Sequence, residues 1–106
     1  MPEKRQHQRL PAALTVTYEC EGDLQKDLVT DVSSGGLFVR TACPLPIGTE
    51  IALQVIVPPN NLAVSVQGRV TWVREQTGAE GMGIQFTGVT GAMLAEMVEQ
   101  ARRRRQ

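Results

Sequence analysis

The side chains best suited to chemistry lie in one short polar segment between two stretches of β-forming residues. The segment reads Asp31-Val32-Ser33-Ser34-Gly35-Gly36. Asp accepts hydrogen bonds, Ser donates and accepts them, and Gly lets a flat ring approach the backbone. The edge of a purine base would fit such a surface. The same residue types also form ordinary hairpin turns, because Asp and Ser bond to nearby backbone and Gly adopts positive φ. The segment alone leaves both interpretations open.

A second candidate pair lies near the N-terminus, where three residues separate Arg5 from Arg9. Guanidinium groups bind phosphate and the O6/N7 edge of guanine in a bidentate manner, and they stack on flat rings. In a helical turn the two arginines would share a face; in a loop they could hold a ligand from two sides. Arginine pairs are also common in basic tails, and we interpret His7, between them, as exposed and incidental.

Length and composition predict a single domain with a modest core. The chain has 106 residues, of which 42% are apolar and 21% charged, as in ordinary globular proteins. No apolar run is long enough to span a bilayer. The N-terminal residues lack the apolar stretch of a secretory signal, so we expect a cytoplasmic protein without a transmembrane segment.

Catalysis has no obvious residues in this sequence. Cys20 and Cys43 lie on different segments without a Cys-x-x-Cys spacing, and His7 is the only histidine. We therefore expect reduced thiols, no zinc or redox site and no cofactor. No Ser/His/Asp or Cys/His set lies on the predicted elements, so we expect a protein that is not an enzyme.

The net charge of zero conceals a separation of charge along the chain. Four basic and ten acidic residues lie between residues 10 and 101, whereas the other seven basic residues are terminal. Those seven are Lys4, Arg5, Arg9 and Arg102–Arg105. Basic ends on an acidic body suggest anion binding, although the C-terminal run is interpreted first as a solvated tail, and its role stays open.

Alternation of apolar and polar residues predicts a series of short strands. The side chains expected to face the interior are Leu14, Val16, Tyr18, Cys20, Ile51, Leu53, Val55, Val57, Leu62, Val64, Val66, Val70, Trp72, Met82, Ile84 and Phe86. Two further runs, 27–32 and 37–41, flank the polar segment; their apolar content is Leu28, Val29, Val32, Leu37, Phe38 and Val39. Gly68 within a long strand pattern predicts a bulge or bend.

A single helix is predicted after the last strand, from a cap at Thr90 to about Arg103. Its apolar stripe comprises Met93, Leu94, Met97, Val98 and Ala101. The fold class is therefore all-β: a small antiparallel barrel of six to seven strands with a C-terminal α-helix. We expect a flexible N-terminal arm at 1–10, the barrel at 11–89, and the helix and basic tail at 90–106.

Taken together, these segments resemble the PilZ domain family over nearly the whole chain. The resemblance rests on Arg-x-x-x-Arg at residues 5–9 and Asp-x-Ser-x-x-Gly at 31–36, in this order. It extends to Gly68-Arg69-Val70-Thr71-Trp72-Val73-Arg74 and Gly81-Met82-Gly83-Ile84-Gln85-Phe86.

This resemblance implies a receptor for cyclic di-GMP. Carried over, Arg5 and Arg9 would clamp phosphates and guanine edges, while Asp31, Ser33 and Gly36 would form the floor that reads a base. Lys4, Ser34 and Gly35 would be secondary contacts. In the family, the residue at Lys4 bears on whether one ligand or a stacked pair binds; lysine lacks the planar stacking surface of arginine, so the stoichiometry stays open.

Signal output would need a partner protein, which the sequence does not identify. Closure of the arm could change a surface that this partner contacts, and the C-terminal helix with its arginines is one candidate face. One alternative is a PilZ-like interaction module that binds no nucleotide. Another is a small barrel that binds nucleic acid, which the sequence disfavours because Tyr18, Phe38, Trp72 and Phe86 are expected in the core rather than on a stacking surface.

Overall fold

The structure, a computed structural model, describes residues 10–58, 61–88 and 90–104, apart from the side chains of residues 10–13, 102 and 104. Six strands and one helix lie in this part of the chain. They are β1 (Leu10–Cys20), β2 (Asp23–Val32), β3 (Gly36–Arg40), β4 (Glu50–Val57), β5 (Leu62–Arg74), β6 (Gly81–Phe86) and α1 (Thr90–Arg104). No helix among these residues has the length and apolar character needed to cross a membrane.

The strands form one closed antiparallel barrel in the order β1-β2-β3-β6-β5-β4, and β4 returns to pair with β1. Every pairing is antiparallel. The predicted class, a six- to seven-stranded barrel with a C-terminal helix, is confirmed with six strands in the described chain. Closure leaves β3 and β6 side by side although they are distant in sequence, which brings the polar segment next to the last strand.

Alternating apolar side chains fill the barrel, as the sequence pattern predicts. Val16, Leu53 and Val55 are among those fully buried. Helix α1 contributes Leu94, Ala95 and Val98 to the same cluster. The predicted helical stripe is wrong at Met93, which is exposed, because a helix resting on the barrel buries a narrower strip than the sequence pattern suggests.

Two predicted interior positions are exposed instead, Leu62 and Trp72. Leu28, part of the apolar content of the run 27–32, is exposed as well. Leu28 precedes the buried Val29 and therefore points outward by simple strand alternation. Leu62 is the first residue of β5, at the strand end, where little of the barrel is left to cover it.

Trp72 is exposed because β5 changes register between Val70 and Trp72. One extra residue at a bulge moves the following side chains to the opposite face. The bulge predicted at Gly68 is thus displaced along the strand. Gly68 itself is regularly paired with Ile51 and Phe86, and a methyl group there would overlap the Ile84 side chain.

One polar contact fixes the interior of the β1–β2 pair. The Tyr18 hydroxyl, in a side chain that is almost fully buried, donates a hydrogen bond to Asp27 Oδ2 at 2.7 Å. Burial raises the pKa of the Tyr18 phenol well above its ordinary value, and the hydrogen bond to Asp27 and the negative charge of its carboxylate add to the shift. The neutral phenol is therefore the form that the fold stabilises.

We predict that Tyr18, the only tyrosine, ionises at a pH clearly above the ordinary tyrosine pKa of about 10. Because the folded-state pKa is raised, this stabilisation is fully present below about pH 10 and is lost as the pH rises further. Ultraviolet absorbance of tyrosinate, followed together with circular dichroism, measures both events. Half-ionisation near pH 10 with the fold still intact would contradict this prediction.

Candidate ligand-binding site

The segment between β2 and β3 is a tight turn fastened by Ser33. This serine is only 5% exposed, and its backbone N–H donates to the Gly36 carbonyl oxygen at 2.8 Å. Its hydroxyl oxygen accepts hydrogen bonds from the backbone N–H groups of Gly35 and Gly36, both at 3.2 Å. Ser33 therefore determines the shape of the turn before any ligand is considered.

Gly36 is required by strand packing. It begins β3 and lies opposite Gln85 of β6. A methyl group at Gly36 would overlap the backbone carbonyl oxygen of Ile84, which cannot move without disturbing the ladder. The turn is also joined to the end of β6 by a backbone hydrogen bond, in which the Phe86 N–H donates to the Gly35 carbonyl oxygen at 2.9 Å.

Asp31 lies on the outer surface of the barrel beside this turn. Its neighbour Val32 is fully buried in the interior, so Asp31 belongs to the opposite face. A register shift between Val29 and Asp31 places Asp31 opposite Phe38 of β3. The bulge thus brings a half-buried carboxylate next to an aromatic ring on the outer face.

That ring is part of a stack built across β6. Phe38 of β3 and Trp72 of β5 both lie opposite Gly83, and a methyl group at Gly83 would overlap the Trp72 indole. Because Gly83 has no side chain, the two rings meet above it with centroids 5.1 Å apart and planes inclined by 20°. Phe38 is buried beneath the stack, whereas Trp72 is 39% exposed.

Arg74 completes the stack with a cation. Its guanidinium carbon lies 4.5 Å from the centre of the Phe38 ring and 5.7 Å from that of Trp72. A cation over an aromatic face is stabilised by the ring quadrupole. The outer face of four strands therefore presents a carboxylate, an exposed indole and a guanidinium along one surface. We call this surface, formed by Asp31, Gly36, Phe38, Trp72 and Arg74, the ledge.

The sequence prediction found two of the five ledge residues, Asp31 and Gly36, and the serine beside them. It selected Asp31, Ser33 and Gly36, and the structure places all three together at the turn and the adjoining strands. The expectation that Trp72 belongs to the core is wrong, since Trp72 is exposed on the outer face. Phe38 is buried as expected, but beneath the stack rather than in the cluster that fills the barrel. The alternating glycines of Gly81-Met82-Gly83 were the available signal, because glycine at outward positions of a strand leaves room for neighbouring rings.

The predicted clamp residues Arg5 and Arg9, and Lys4 beside them, lie outside the described residues. Their point of attachment is described. Leu10 lies opposite Val32 and Pro11 opposite Asp31 at the start of β1. The N-terminal segment therefore joins the barrel next to the turn that carries Asp31 and Ser33.

The family model for the PilZ domain matches residues 3–102 of this sequence. The chain belongs to the PilZ domain family. The match includes the barrel, most of the helix, and the residues of both sequence patterns, 5–9 and 31–36. It confirms the resemblance found in the sequence. No curated protein matches the sequence.

Solved structures share this PilZ fold at low sequence identity. The PilZ domain of YcgR from Escherichia coli, solved with c-di-GMP, is 15% identical with a TM-score of 0.76, and the match covers 97% of each chain. The Bacillus subtilis inhibitor of motility MotI/DgrA is 18% identical with a TM-score of 0.76; the match covers 98% of this chain but 52% of that one. PlzA of Borreliella burgdorferi, in complex with c-di-GMP, is 17% identical with a TM-score of 0.55, covering 90% of this chain and 40% of that one.

The present chain thus spans about half of the length of the Bacillus subtilis protein and nearly all of the YcgR domain. At these identities the likeness concerns the fold. The site residues Asp31, Ser33, Gly36, Arg5 and Arg9 stay predictions.

The packing around Gly36 gives a stability prediction for this PilZ domain. Replacing Gly36 by Ala should lower the free energy of unfolding by about 1–3 kcal/mol, because the new methyl group displaces β6 backbone at Ile84. Urea denaturation followed by circular dichroism measures the change. Gly88→Ala is the matched control, since nothing lies within 4 Å of a methyl group at that glycine.

An unchanged unfolding free energy for Gly36→Ala would show that β3 and β6 are not held as closely as described. A comparable loss in Gly88→Ala would show that the effect does not come from contact with β6.

Proposed function

We propose that this domain is a receptor for cyclic di-GMP, and that its N-terminal arm, residues 1–10, closes over a ligand lying on the ledge. The observation that carries the proposal is the pairing of Leu10 with Val32. It fixes Leu10, the residue after Arg9, beside the turn that carries Asp31 and Ser33, which supports a site formed by the arm and the turn together.

The ledge suits a guanine nucleotide in both shape and charge. Asp31 offers a carboxylate acceptor for the N–H groups of guanine, since the base carries an exocyclic amino donor. Trp72 offers an exposed indole, and stacking of a base on an aromatic side chain contributes about 1–3 kcal/mol. Ser33 contributes by holding the turn in place, because its hydroxyl is engaged with Gly35 and Gly36.

The arm supplies the cations that the ligand phosphates need. Arg9 is the residue before Leu10, and Arg5 lies five residues before it, within a contour length of about 17 Å. Both guanidinium groups can therefore reach across the ledge. Ordering the arm costs conformational entropy, and charge-assisted hydrogen bonds of roughly 1.5–3 kcal/mol each offset that cost.

The likeness to ligand-bound structures supports the same ligand. The PilZ domain of YcgR was solved with c-di-GMP and PlzA in complex with it, and the YcgR domain matches 97% of this chain. Transfer of that ligand to this chain rests on the two sequence patterns, on the ledge and on the position of the arm.

A second candidate function is an interaction module that binds no nucleotide. Two observations favour it. The Ser33 hydroxyl accepts a hydrogen bond within its own turn, and a side chain at Gly36 would overlap the backbone of β6. Both residues thus have structural reasons to be present without a ligand. Arg5 and Arg9 lie outside the described residues, so measurements on variants of these two arginines decide between the two functions.

We expect isothermal titration calorimetry to show saturable binding of cyclic di-GMP, weakened at least about tenfold in Arg9→Ala because a charge-assisted contact to phosphate is lost. Affinity should fall as salt concentration rises, since exposed charges are screened. Arg103→Ala is the matched control: it removes an exposed arginine from α1, where Arg103 pairs with Glu99, and should leave affinity unchanged.

No heat at millimolar nucleotide from a folded sample would favour the interaction module. Equal affinity in Arg9→Ala and the wild type would rule out the proposed clamp. Competition by generic single-stranded oligonucleotides at similar concentration would instead favour nucleic-acid binding on the exposed Trp72.

A further inference from the structure

The first half of β2 has an uncovered edge. β1 pairs with β2 from Cys20 opposite Asp23 to Leu10 opposite Val32. On the other side, β3 begins its pairing only at Leu28, opposite Arg40, and continues to Val32. Between Asp23 and Asp27, therefore, no strand of the described chain covers the β3 side of β2. An exposed strand edge of this kind is a template for pairing with another extended segment.

The outward side chains along this edge form an apolar and basic row. Every second residue of β2 faces outward here: Leu24 is 77% exposed, Leu28 is 51% exposed, and the exposed Lys26 lies between them. Arg40 lies opposite Leu28 on β3. We call these four residues the β2 row. Large exposed apolar side chains around a cation are typical of contact surfaces rather than of solvated strand faces.

A shallow groove gives this surface room for a ligand segment. It has a volume of about 460 Å³ and is lined by Thr15, Lys26, Asp27, Leu28 and Arg40. The Arg40 guanidinium is held in position by a hydrogen bond of 2.9 Å to the Gly78 carbonyl oxygen. A fixed guanidinium retains further N–H donors in a planar fork, which favours carboxylate acceptors.

We propose that the β2 row is a docking surface for an extended, acidic segment of a partner protein, which pairs with the edge at 23–27 and places carboxylates against Lys26 and Arg40. Charge selects this occupant. Between residues 10 and 101 the chain has ten acidic and only four basic residues, and two of those four lie in the β2 row. Asp23 and Asp27 lie on the same edge, but at positions that alternate with the outward row, and Asp27 Oδ2 accepts the hydrogen bond from the buried Tyr18. An acidic segment is therefore attracted here and repelled by much of the remaining body.

This surface adjoins the ledge. Along the β2–β3 ladder, the outward pair Asp31–Phe38 is followed by the inward pair Val29–Val39 and then by the outward pair Leu28–Arg40. The β2 row would thus be the surface through which the proposed receptor contacts its partner protein. Binding of the acidic segment does not depend on the proposed receptor function; only a change of that binding with nucleotide does. Its test is run without nucleotide, so that the two proposals can fail separately.

The test uses a short synthetic peptide of alternating Asp and Val as the probe and an alternating Lys and Val peptide as its comparison. Amide chemical shifts in NMR report where each peptide binds the full chain. We expect the acidic peptide to shift the signals of residues 23–28 and Arg40, and Lys26→Glu to weaken its binding at least about fivefold. Leu24→Ser should weaken it as well.

Arg103→Glu and Leu62→Ser are the matched controls. They change an exposed cation and an exposed leucine elsewhere and should leave binding of the acidic peptide unchanged.

Several results would overturn the proposal. They are equal binding of the basic peptide, unchanged binding in Lys26→Glu, and shifts centred on Arg103 and the end of α1. Shifts of residues 23–28 that depend on protein concentration alone would make a second copy of this chain the occupant and would equally refute an acidic partner. Because every variant changes an exposed side chain, loss of the fold does not confuse the outcome.

Discussion

The outer surface of this barrel depends on strand positions that carry no side chain. Gly36 lets β3 approach the β6 backbone at Ile84, and Gly83 lets Phe38 and Trp72 meet above β6. Any larger residue at either position would separate strands or lift a ring from the sheet. Close packing of backbone and rings thus produces a nearly continuous face from Asp31 to Arg74, on which the proposed nucleotide would lie.

The ledge, the attachment point of the N-terminal arm and the β2 row all lie on or beside the strands β2 and β3. The turn fastened by Ser33 holds Asp31 at one side of the ledge, the N-terminal arm joins the barrel opposite Val32, and the β2 row begins one outward pair beyond Phe38. A ligand on the ledge and a partner on the β2 row would therefore share strands rather than communicate across the core. In the proposed receptor, the arm that covers the ligand would lie beside the surface that the partner contacts.

Strand periodicity predicted the fold because a closed barrel with one interior enforces alternation on each strand. It failed where one residue breaks the period: the bulge after Val70 moved Trp72 outward, and the shift after Val29 aligned Asp31 with Phe38. Local sequence does not determine such register shifts, because they depend on the partner strand. The turn residues of the site were predictable from their chemistry, whereas the aromatic stack required knowing that β3 and β5 both flank β6.

The most direct test of this account follows the fluorescence of Trp72, the only tryptophan, as cyclic di-GMP is added. Trp72 is part of the ledge and half-exposed, so a guanine bound there must change its environment. The account predicts a saturable fluorescence change in the wild type that is lost in Asp31→Ala. Calorimetric binding of cyclic di-GMP with no change in Trp72 fluorescence would place the ligand elsewhere and contradict the account.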